Sequence, residues 1–346
     1  MQTKNKTYDV IIIGAGPAGL AAATELSPKK KVLILERKKI VGDKVCAGGL
    51  TVKGFHDLHI PKSLIEEEFS CVNLYFKGKK YKLELDEPWV WTCDRKELGK
   101  WQLKQAKDKG AEVRLKSEAV EIQKNYVVTA DGEKLFFKHL IGADGSSSIV
   151  RKFLGLPVKK VILALQYYVP RAMFDKLEVY FELKKFGPSY AWIFPHKKFN
   201  SVGAGADLRF INGAKFKKHF EDWCKGIGVN PKEYKLQAAP ISYDYQGLEF
   251  GNIFLVGDAA GLASGLTGEG IYPGLISGKE AAFKILNPQY DFKELEDLLE
   301  SKQLEEKVLE VYAVNKAAAK AMFCLGFSFL KSKAAREKLA GFLTEK

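Results

Sequence analysis

Cysteine is scarce in this sequence and long apolar runs are absent, and each absence excludes a class of protein. The 346 residues contain five cysteines, an odd number without a CxxC pair or a metal-ligand spacing. We therefore expect no metal site, no disulfide framework and no paired-cysteine reductase, and a reducing cytoplasmic location is the default expectation. No run of about 18 apolar residues occurs, so no membrane-spanning helix is expected.

The charge is unbalanced toward the positive. The 55 Lys and Arg residues exceed the 42 Asp and Glu residues and give a formal net charge of +13. Such an excess is compatible with nucleic acid, anionic lipid or an acidic protein partner, and equally with the composition of a lysine-rich proteome. No nucleic-acid partner is expected. Hydrophobic residues make up 46% of the chain, which is typical of a globular protein, and its length predicts two interlocked domains.

The N-terminal region predicts a nucleotide-binding βαβ unit. A β-branched apolar run at 10–13 is followed by the glycine loop 14–19, by helix formers at 20–26 and by a second apolar strand at 32–35. The spacing predicts a dinucleotide whose pyrophosphate lies at the helix N-terminus. The residues expected to contact it are Gly14, Gly16, Pro17, Ala18 and Gly19, with Glu36 and Arg37 at the adenosine ribose.

Two later segments indicate that the ligand is long. Residues 142–146 and 257–261 carry Asp144 and Asp258, each directly after an apolar strand. A first loop at the N-terminus and an acid more than 200 residues later are typical of FAD. The glycine-rich segment 265–271 then begins a helix that is expected to reach about residue 286 and to stabilise negative charge on the reduced flavin.

The segments resemble flavoproteins with the para-hydroxybenzoate hydroxylase architecture. The resemblance implies that Asp144 lies near the pyrophosphate and that Asp258 binds the ribityl hydroxyls. Residues 92–98 are expected to begin a helix whose Arg95 lies over the cofactor, or else is a solvated helix-start arginine. The remaining cofactor contacts are expected at Ala119, beside the adenine, and at Gly268, Gly270 and Ile271.

Residues 188–195 narrow the choice among flavoproteins. Tyr190, Trp192 and Phe194 alternate, so an extended chain points them to one face, either as a cavity wall or as an ordinary core strand. The segment resembles the PxxYxWxFP motif of the geranylgeranyl reductase family, and residues 42–50 resemble its cysteine–glycine segment. In that segment Cys46, Ala47 and Gly48 are further expected flavin contacts, although many members have an uninterrupted glycine run after the cysteine.

This resemblance implies FAD-dependent saturation of isoprenoid carbon–carbon double bonds on a lipid or prenyl diphosphate. Hydride transfer from reduced flavin, with proton delivery to the other carbon, is the working hypothesis. Cys46 is a candidate acid or an inert packing thiol, and the faces of Tyr190 and Trp192 are candidates for stabilising positive charge. No second complete GxGxxG unit follows residue 150, so NAD(P)H is expected to dock transiently, or reduced ferredoxin or another carrier protein to deliver electrons.

The expected fold class is α/β, a Rossmann-type FAD-binding domain with an interleaved, mostly antiparallel substrate sheet and C-terminal helices. The FAD-binding domain is predicted to comprise residues 1–70, 92–158 and 240–287, the substrate domain 71–91 and 159–239, and the helical region 288–346. The apolar run 321–330 with following basic residues predicts either an interfacial helix on an anionic membrane or a helix packed on the flavin domain. Rival functions are a flavin monooxygenase or halogenase, and a non-catalytic FAD-bound lipid-binding or redox-sensing protein.

Overall fold

The computed structural model describes residues 6–56, 59–330 and 332. The first ten strands are β1 (Lys6–Ile13), β2 (Val32–Glu36), β3 (Gly49–Thr51), β4 (Ile65–Phe69), β5 (Cys71–Phe76), β6 (Lys79–Glu84), β7 (Val90–Cys93), β8 (Glu112–Leu115), β9 (Ala119–Ile122) and β10 (Tyr126–Thr129). They are followed by β11 (Lys134–Gly142), β12 (Val161–Pro170), β13 (Glu178–Phe181), β14 (Ala191–Pro195), β15 (Phe199–Asp207), β16 (Gln237–Ser242), β17 (Glu249–Phe250) and β18 (Ile253–Leu255). The helices are α1 (Pro17–Leu26), α2 (Val52–His56), α3 (Arg95–Asp108), α4 (Ile149–Phe153), α5 (Leu183–Phe186), α6 (Gly213–Gly226), α7 (Ile271–Leu286), α8 (Lys293–Val314) and α9 (Lys316–Phe329).

The first sheet is built around the N-terminal strand. Its main path is β17-β18-β11-β1-β2-β8, in which β1 runs parallel to both β2 and β11, while β9 and β10 extend it beside β11. Ile11 and Ile12 have no exposed surface, as the continuous apolar run predicted for a strand covered on both faces. Helices α1 and α7 cross so closely that a Cβ on Gly278 would lie 2.2 Å from the Ala18 carbonyl oxygen. The Rossmann-type prediction is confirmed.

The second sheet is mostly antiparallel. Its order is β16-β12-β15-β14-β13-β5-β6, and the β13–β5 pair is its parallel step. Helix α6 covers one face through three buried aromatic residues, Phe216, Phe220 and Trp223. Strand β14, which carries the aromatic motif, lies between β15 and β13 in the middle of the sheet. This sheet confirms the expected fold class, with the aromatic motif on a central strand.

A small third sheet joins the cysteine–glycine segment to the start of α3. Strand β7 pairs antiparallel with β3 and β4, and Cys93 donates its backbone N–H to the Gly48 carbonyl. The prediction that the helix begins at 92 is therefore wrong for Thr92 and Cys93, which are strand residues. Helix α3 begins at Arg95 because the Asp94 carboxylate accepts the Lys96 and Glu97 backbone N–H groups and caps it.

The C-terminal helices pack on the rest of the chain with α9 against the second sheet. Phe327 stacks on Phe76 with ring centroids 4.6 Å apart, and Phe323 lies 6.1 Å from Phe181. The prediction that this helix packs on the flavin domain is therefore wrong, because Phe76 and Phe181 belong to β5 and β13 of the second sheet. The basic residues counted toward membrane contact, Lys331, Lys333, Arg336 and Lys338, lie outside the described residues. Within the described ranges, no helix is long and apolar enough to cross a membrane.

Candidate FAD and substrate site

The first glycine loop is held against the end of β11. Gly14 has φ +103°, and a Cβ there would lie 2.4 Å from the carbonyl oxygen of Ala143, the residue before Asp144. A Cβ on Gly19 would lie 2.1 Å from the Gly14 carbonyl oxygen, so helix and loop are in contact. Gly16 is the N-cap of α1, and Pro17 is its first residue. The first glycine loop and the Asp144 segment, which were both expected to contact the ligand, therefore lie side by side.

Glu36 stands at the end of β2 beside the same loop. Its carboxylate accepts the backbone N–H groups of Ala15 and Lys38, both at 2.8 Å. Its carbonyl accepts the Ser117 N–H at 2.9 Å, and buried Ala119, the first residue of β9, follows two residues later. The arrangement supports the adenosine assignments of Glu36 and Ala119, which stay predictions, as does that of Arg37.

The Asp258 carboxylate contacts three separate segments of the chain. Lys44 Nζ lies 2.5 Å from Asp258 Oδ2, and Ser146 Oγ donates to the same oxygen at 3.2 Å. A Cβ on Gly270, the N-cap of α7, would lie 3.1 Å from Asp258 Oδ1. The ribityl assignment stays a prediction, but the acid faces the loop that precedes α7.

Two buried polar atoms of predicted FAD contacts have no hydrogen-bond partner among the described residues. They are Arg95 Nη1 and Asp144 Oδ1, which belong to two residues that the sequence predicts to contact FAD. The other Asp144 oxygen accepts the Ile149 N–H at 2.7 Å, and burial raises the pKa of this carboxyl above its usual range. Buried polar groups are nearly always paired, so both orphans suit a ligand rich in hydroxyl, carbonyl and phosphate groups. The donor set fits FAD, with Arg95 and Asp144 among the residues that would hold it.

The loop before α7 is braced by the C-terminal region. Ser264 Oγ accepts the Thr267 backbone N–H at 2.9 Å and donates to Glu305 Oε2 of α8 at 2.6 Å. One turn earlier in α8, Lys302 donates to the Ala263 carbonyl at 2.9 Å. Within this loop Gly268 has φ +72°, and Ile271 is buried as the first residue of α7. The sequence analysis missed Lys302 and Glu305, because nothing local in an amphipathic helix distinguishes them from solvated charges.

Strand β14 and the cysteine–glycine segment contact each other directly. A Cβ on Gly49 would lie 2.5 Å from a ring carbon of Phe194, and one on Gly48 would lie 2.4 Å from His196 Cε1. Cys46 is partly buried, and its sulfur accepts the Gly48 backbone N–H at 3.4 Å. The two segments that suggested the family resemblance are thus one structural unit.

The other two aromatic residues of the motif have different surroundings. Trp192 is 7% exposed, packs so closely on Gly203 that a Cβ there would lie 2.2 Å from its ring, and donates its indole N–H to Ser201 Oγ at 3.0 Å. The Tyr190 hydroxyl donates to the Thr267 carbonyl of the loop before α7, and burial raises the pKa of this phenol. Their rings meet edge to face at 6.1 Å. Tyr190 therefore links the second sheet to the predicted flavin loop, while Trp192 is packed into the sheet.

His196 was missed by the sequence analysis. Its side chain is 2% exposed, Nδ1 lies 2.6 Å from Glu66 Oε2, and Nε2 lies 2.8 Å from the Ala47 carbonyl oxygen. The signal was present, because the alternation through 190, 192 and 194 continues to 196. In the aromatic motif itself, Pro188 stands two residues before Tyr190, whereas PxxY requires three. The segment therefore matches the family motif in full only over Tyr-x-Trp-x-Phe-Pro.

Comparison with known proteins identifies the family. The model of the FAD binding domain matches residues 7–225. The chain belongs to this FAD-binding family. It is an FAD-dependent oxidoreductase, and named relatives confirm its resemblance to the geranylgeranyl reductases. It is 32% identical to an uncharacterized Methanosarcina barkeri protein over 80% of this chain and 74% of the relative. It is 29% identical to the digeranylgeranylglycerophospholipid reductase of Methanocaldococcus jannaschii over 82% of this chain and 78% of that one.

Solved structures share the fold. A geranylgeranyl bacteriochlorophyll reductase-like protein from Thermoplasma acidophilum superimposes with a TM-score of 0.73 at 23% identity, over 99% of this chain and 93% of that one. The flavin-dependent brominase Bmp2 superimposes with a TM-score of 0.70 at 17% identity, over 98% of this chain and 94% of that one. At such identities the likeness concerns the fold alone, which reductases and halogenases share.

Proposed function

We propose that this protein is an FAD-dependent reductase that saturates carbon–carbon double bonds of an isoprenoid chain carried by a lipid or a prenyl diphosphate. The observation that carries the proposal is the contact between β14 and the Cys46–Gly49 segment. Through it, a thiol and an aromatic strand lie together beside the loop that begins α7. The named reductase relative supports the same reaction class.

Saturation of an alkene adds one hydride and one proton. Reduced FAD, when bound, supplies the hydride and its electron pair to one alkene carbon. We assign the proton to the Cys46 thiol, which would deliver it to the other carbon and recover it from solvent. The ring faces of Tyr190 and Trp192 are proposed to stabilise positive charge on the more substituted carbon.

The prenyl chain is proposed to run along a series of aromatic rings. Tyr190 lies 5.9 Å from Phe181, whose ring is 5.2 Å from Phe327 of α9, and Phe327 stacks on Phe76. Phe76 and Phe327 cover each other and are 4% and 7% exposed, so the tail is proposed to reach them by entering between α9 and the second sheet. A linear hydrocarbon gains about 0.8 kcal/mol for each CH₂ that it buries there. Phe194, packed on Gly49, is proposed to border the same wall near Cys46.

The test of the reaction is an anaerobic incubation of reduced holoenzyme with lipids that carry unsaturated prenyl chains, followed by mass spectrometry. Each saturated bond should add two mass units. Cys46→Ala should retain FAD and slow the reoxidation of reduced flavin by the alkene by roughly 10²-fold or more, since proton transfer contributes that much. Cys71→Ala, a change of another partly buried thiol in β5, is the matched control and should leave the rate unchanged. Absence of any mass increase with every prenyl lipid tested would refute the proposal.

A monooxygenase or halogenase is the second candidate, because the brominase shares the fold. Such an enzyme would consume oxygen in step with NAD(P)H and would give a hydroxylated or halogenated product. The reductase should give its product without oxygen. The electron donor is proposed to be NAD(P)H or reduced ferredoxin, and bleaching of the bound flavin by each donor in turn distinguishes them.

Contact with an anionic membrane surface is also proposed, through the outer face of α9. Leu325 and Phe329 are 62% and 66% exposed on this face, and Lys316 and Lys320 are exposed near its start. The Leu325→Glu, Phe329→Glu double variant should lose flotation with phosphatidylglycerol vesicles. Leu304→Glu, at a residue 60% exposed on α8, should not lose it. Equal flotation of both variants with wild type would end this part of the proposal.

A further inference from the structure

A series of hydrogen bonds leads from a partly buried carboxylate to the sulfur of Cys46. Glu66 Oε2 lies 2.6 Å from His196 Nδ1, and His196 Nε2 lies 2.8 Å from the Ala47 carbonyl oxygen. The N–H of Gly48 belongs to the same peptide group as that carbonyl and donates to Cys46 Sγ at 3.4 Å. One peptide group therefore connects the imidazole to the thiol.

The chemistry of the atoms fixes the direction of these bonds. A carbonyl oxygen can only accept, so His196 Nε2 must carry a hydrogen. One further hydrogen lies between His196 Nδ1 and the Glu66 carboxylate. Whichever of these two groups carries it, Nε2 keeps its own hydrogen and remains a donor. Hydrogen bonds in series polarise one another, so donation to the Ala47 carbonyl strengthens the Gly48 N–H as a donor to sulfur.

Packing holds the imidazole in this position. The His196 side chain is 2% exposed and that of Glu66 is 17% exposed. The ring stacks on Phe199 with centroids 4.5 Å apart, and its Cε1–Nε2 edge lies so close to Gly48 that no Cβ would fit between them. A ring confined in this way cannot turn its Nε2 away from Ala47 without moving the cysteine–glycine segment.

We propose that His196, held by Glu66, is a positioning residue that orients the Ala47–Gly48 peptide toward the Cys46 sulfur and favours the ionised thiol. The proposal rests on the proposed function only in that the reaction uses Cys46. Hydrogen bonds donated to a thiolate favour the charged form. Cys93, Tyr168 and Tyr190 interact electrostatically with Cys46. The charges around them are Arg95 and Asp94 near Cys93, Asp43 near Tyr168, and Lys44, two residues before Cys46 and paired with Asp258; all of these groups stay constant in the variants below.

The experiment measures the rate at which iodoacetamide alkylates Cys46 in the FAD-loaded protein between pH 6 and about pH 10. Mass spectrometry of the Cys46 peptide separates it from the other four cysteines. His196→Ala should move the pH midpoint of alkylation upward by about one unit, and Glu66→Gln should move it in the same direction by less. His196→Gln, whose amide N–H can still donate to Ala47, should recover part of the shift. His139→Gln in β11 is the matched control and should leave the midpoint unchanged.

This readout distinguishes positioning from space filling. A ring that only fills space would change the melting temperature, and the alkylation rate at every pH, without moving the midpoint. An unchanged midpoint in both Glu66→Gln and His196→Ala, with wild-type FAD content, would overturn the proposal. If His196→Ala fails to fold, His196→Phe, which keeps a ring in the site but has no N–H donor, takes its place in this test. Alkylation needs no alkene, so failure of prenyl saturation and failure of this proposal are distinguishable.

Discussion

Gly48→Ala tests the contact between β14 and the cysteine–glycine segment, on which the candidate site depends. The change has two costs. At φ +82° an alanine is strained by about 1–2 kcal/mol, and its Cβ would lie 2.4 Å from His196 Cε1 and 2.7 Å from the Cys93 carbonyl oxygen. Overpacking of a tight site adds about 1–3 kcal/mol. The free energy of unfolding should therefore fall by about 2–5 kcal/mol.

Gly78→Ala separates the two costs. Gly78 has a similar φ of +71°, but no heavy atom lies within 4 Å of a Cβ at this position. This control should lose only the strain, about 1–2 kcal/mol. The excess loss in Gly48→Ala then measures the steric contact with His196 and Cys93.

The assay is guanidinium unfolding of the holoenzyme at saturating FAD, followed by tryptophan fluorescence, because bound ligand adds to stability and must be equal in all samples. Combining Gly48→Ala with His196→Ala should cost less than the sum of the single changes, since the ring that clashes is gone. Equal losses for Gly48→Ala and Gly78→Ala, with no coupling to His196, would refute the contact and the positioning argument that depends on it.

Three further results are expected. Arg95→Ala should weaken FAD binding about tenfold or more in a fluorescence titration, because a charged hydrogen-bond donor is lost. Lys104→Ala, on the exposed surface of α3, should leave the affinity for FAD unchanged, and equal affinities of the two variants would remove Arg95 from the site. Glu305→Ala should weaken FAD binding several-fold by freeing Ser264, and unchanged affinity would show that α8 does not brace the loop. Burial raises the pKa of the Glu280 carboxyl above the ordinary value of 4.5. The stability that the protonated carboxyl contributes is therefore present below pH 4.5 and is lost as the pH rises through the raised pKa. Glu280→Gln should flatten the fall in melting temperature above pH 4.5, and melting curves that stay parallel to those of wild type would contradict this.

The parts of the fold that the sequence predicted are those set by local pattern. A β-branched run followed by a glycine loop and helix formers has one common solution, so β1, α1 and β2 were predicted within a few residues. The Asp144 and Asp258 segments were predicted for the same reason, since an apolar strand that ends in a polar turn can be recognised without its neighbours. That these segments share one long ligand was inferred from their order in the chain, and the position of each acid along it from the resemblance.

The missed residues act across long stretches of chain. Glu66 and His196 are 130 residues apart, and Ser264 and Glu305 are 41 apart, so no window of sequence contains either pair. Thr92 and Cys93 were expected at the start of the helix that carries Arg95. They lie instead in β7, where they pair with β3 and β4, so tertiary contacts determine their structure.

The contacts also explain why alanine is compatible with a segment in which many family members have an unbroken glycine run. Gly48 and Gly49 must lack a side chain, because the His196 and Phe194 rings occupy the space that their Cβ atoms would need. Ala47 has another role in the described contacts: it offers its carbonyl oxygen to His196, and any residue carries that group. The departure at position 47 therefore leaves the hydrogen-bonded path to Cys46 intact, whereas a side chain at 48 or 49 would break the contact with β14.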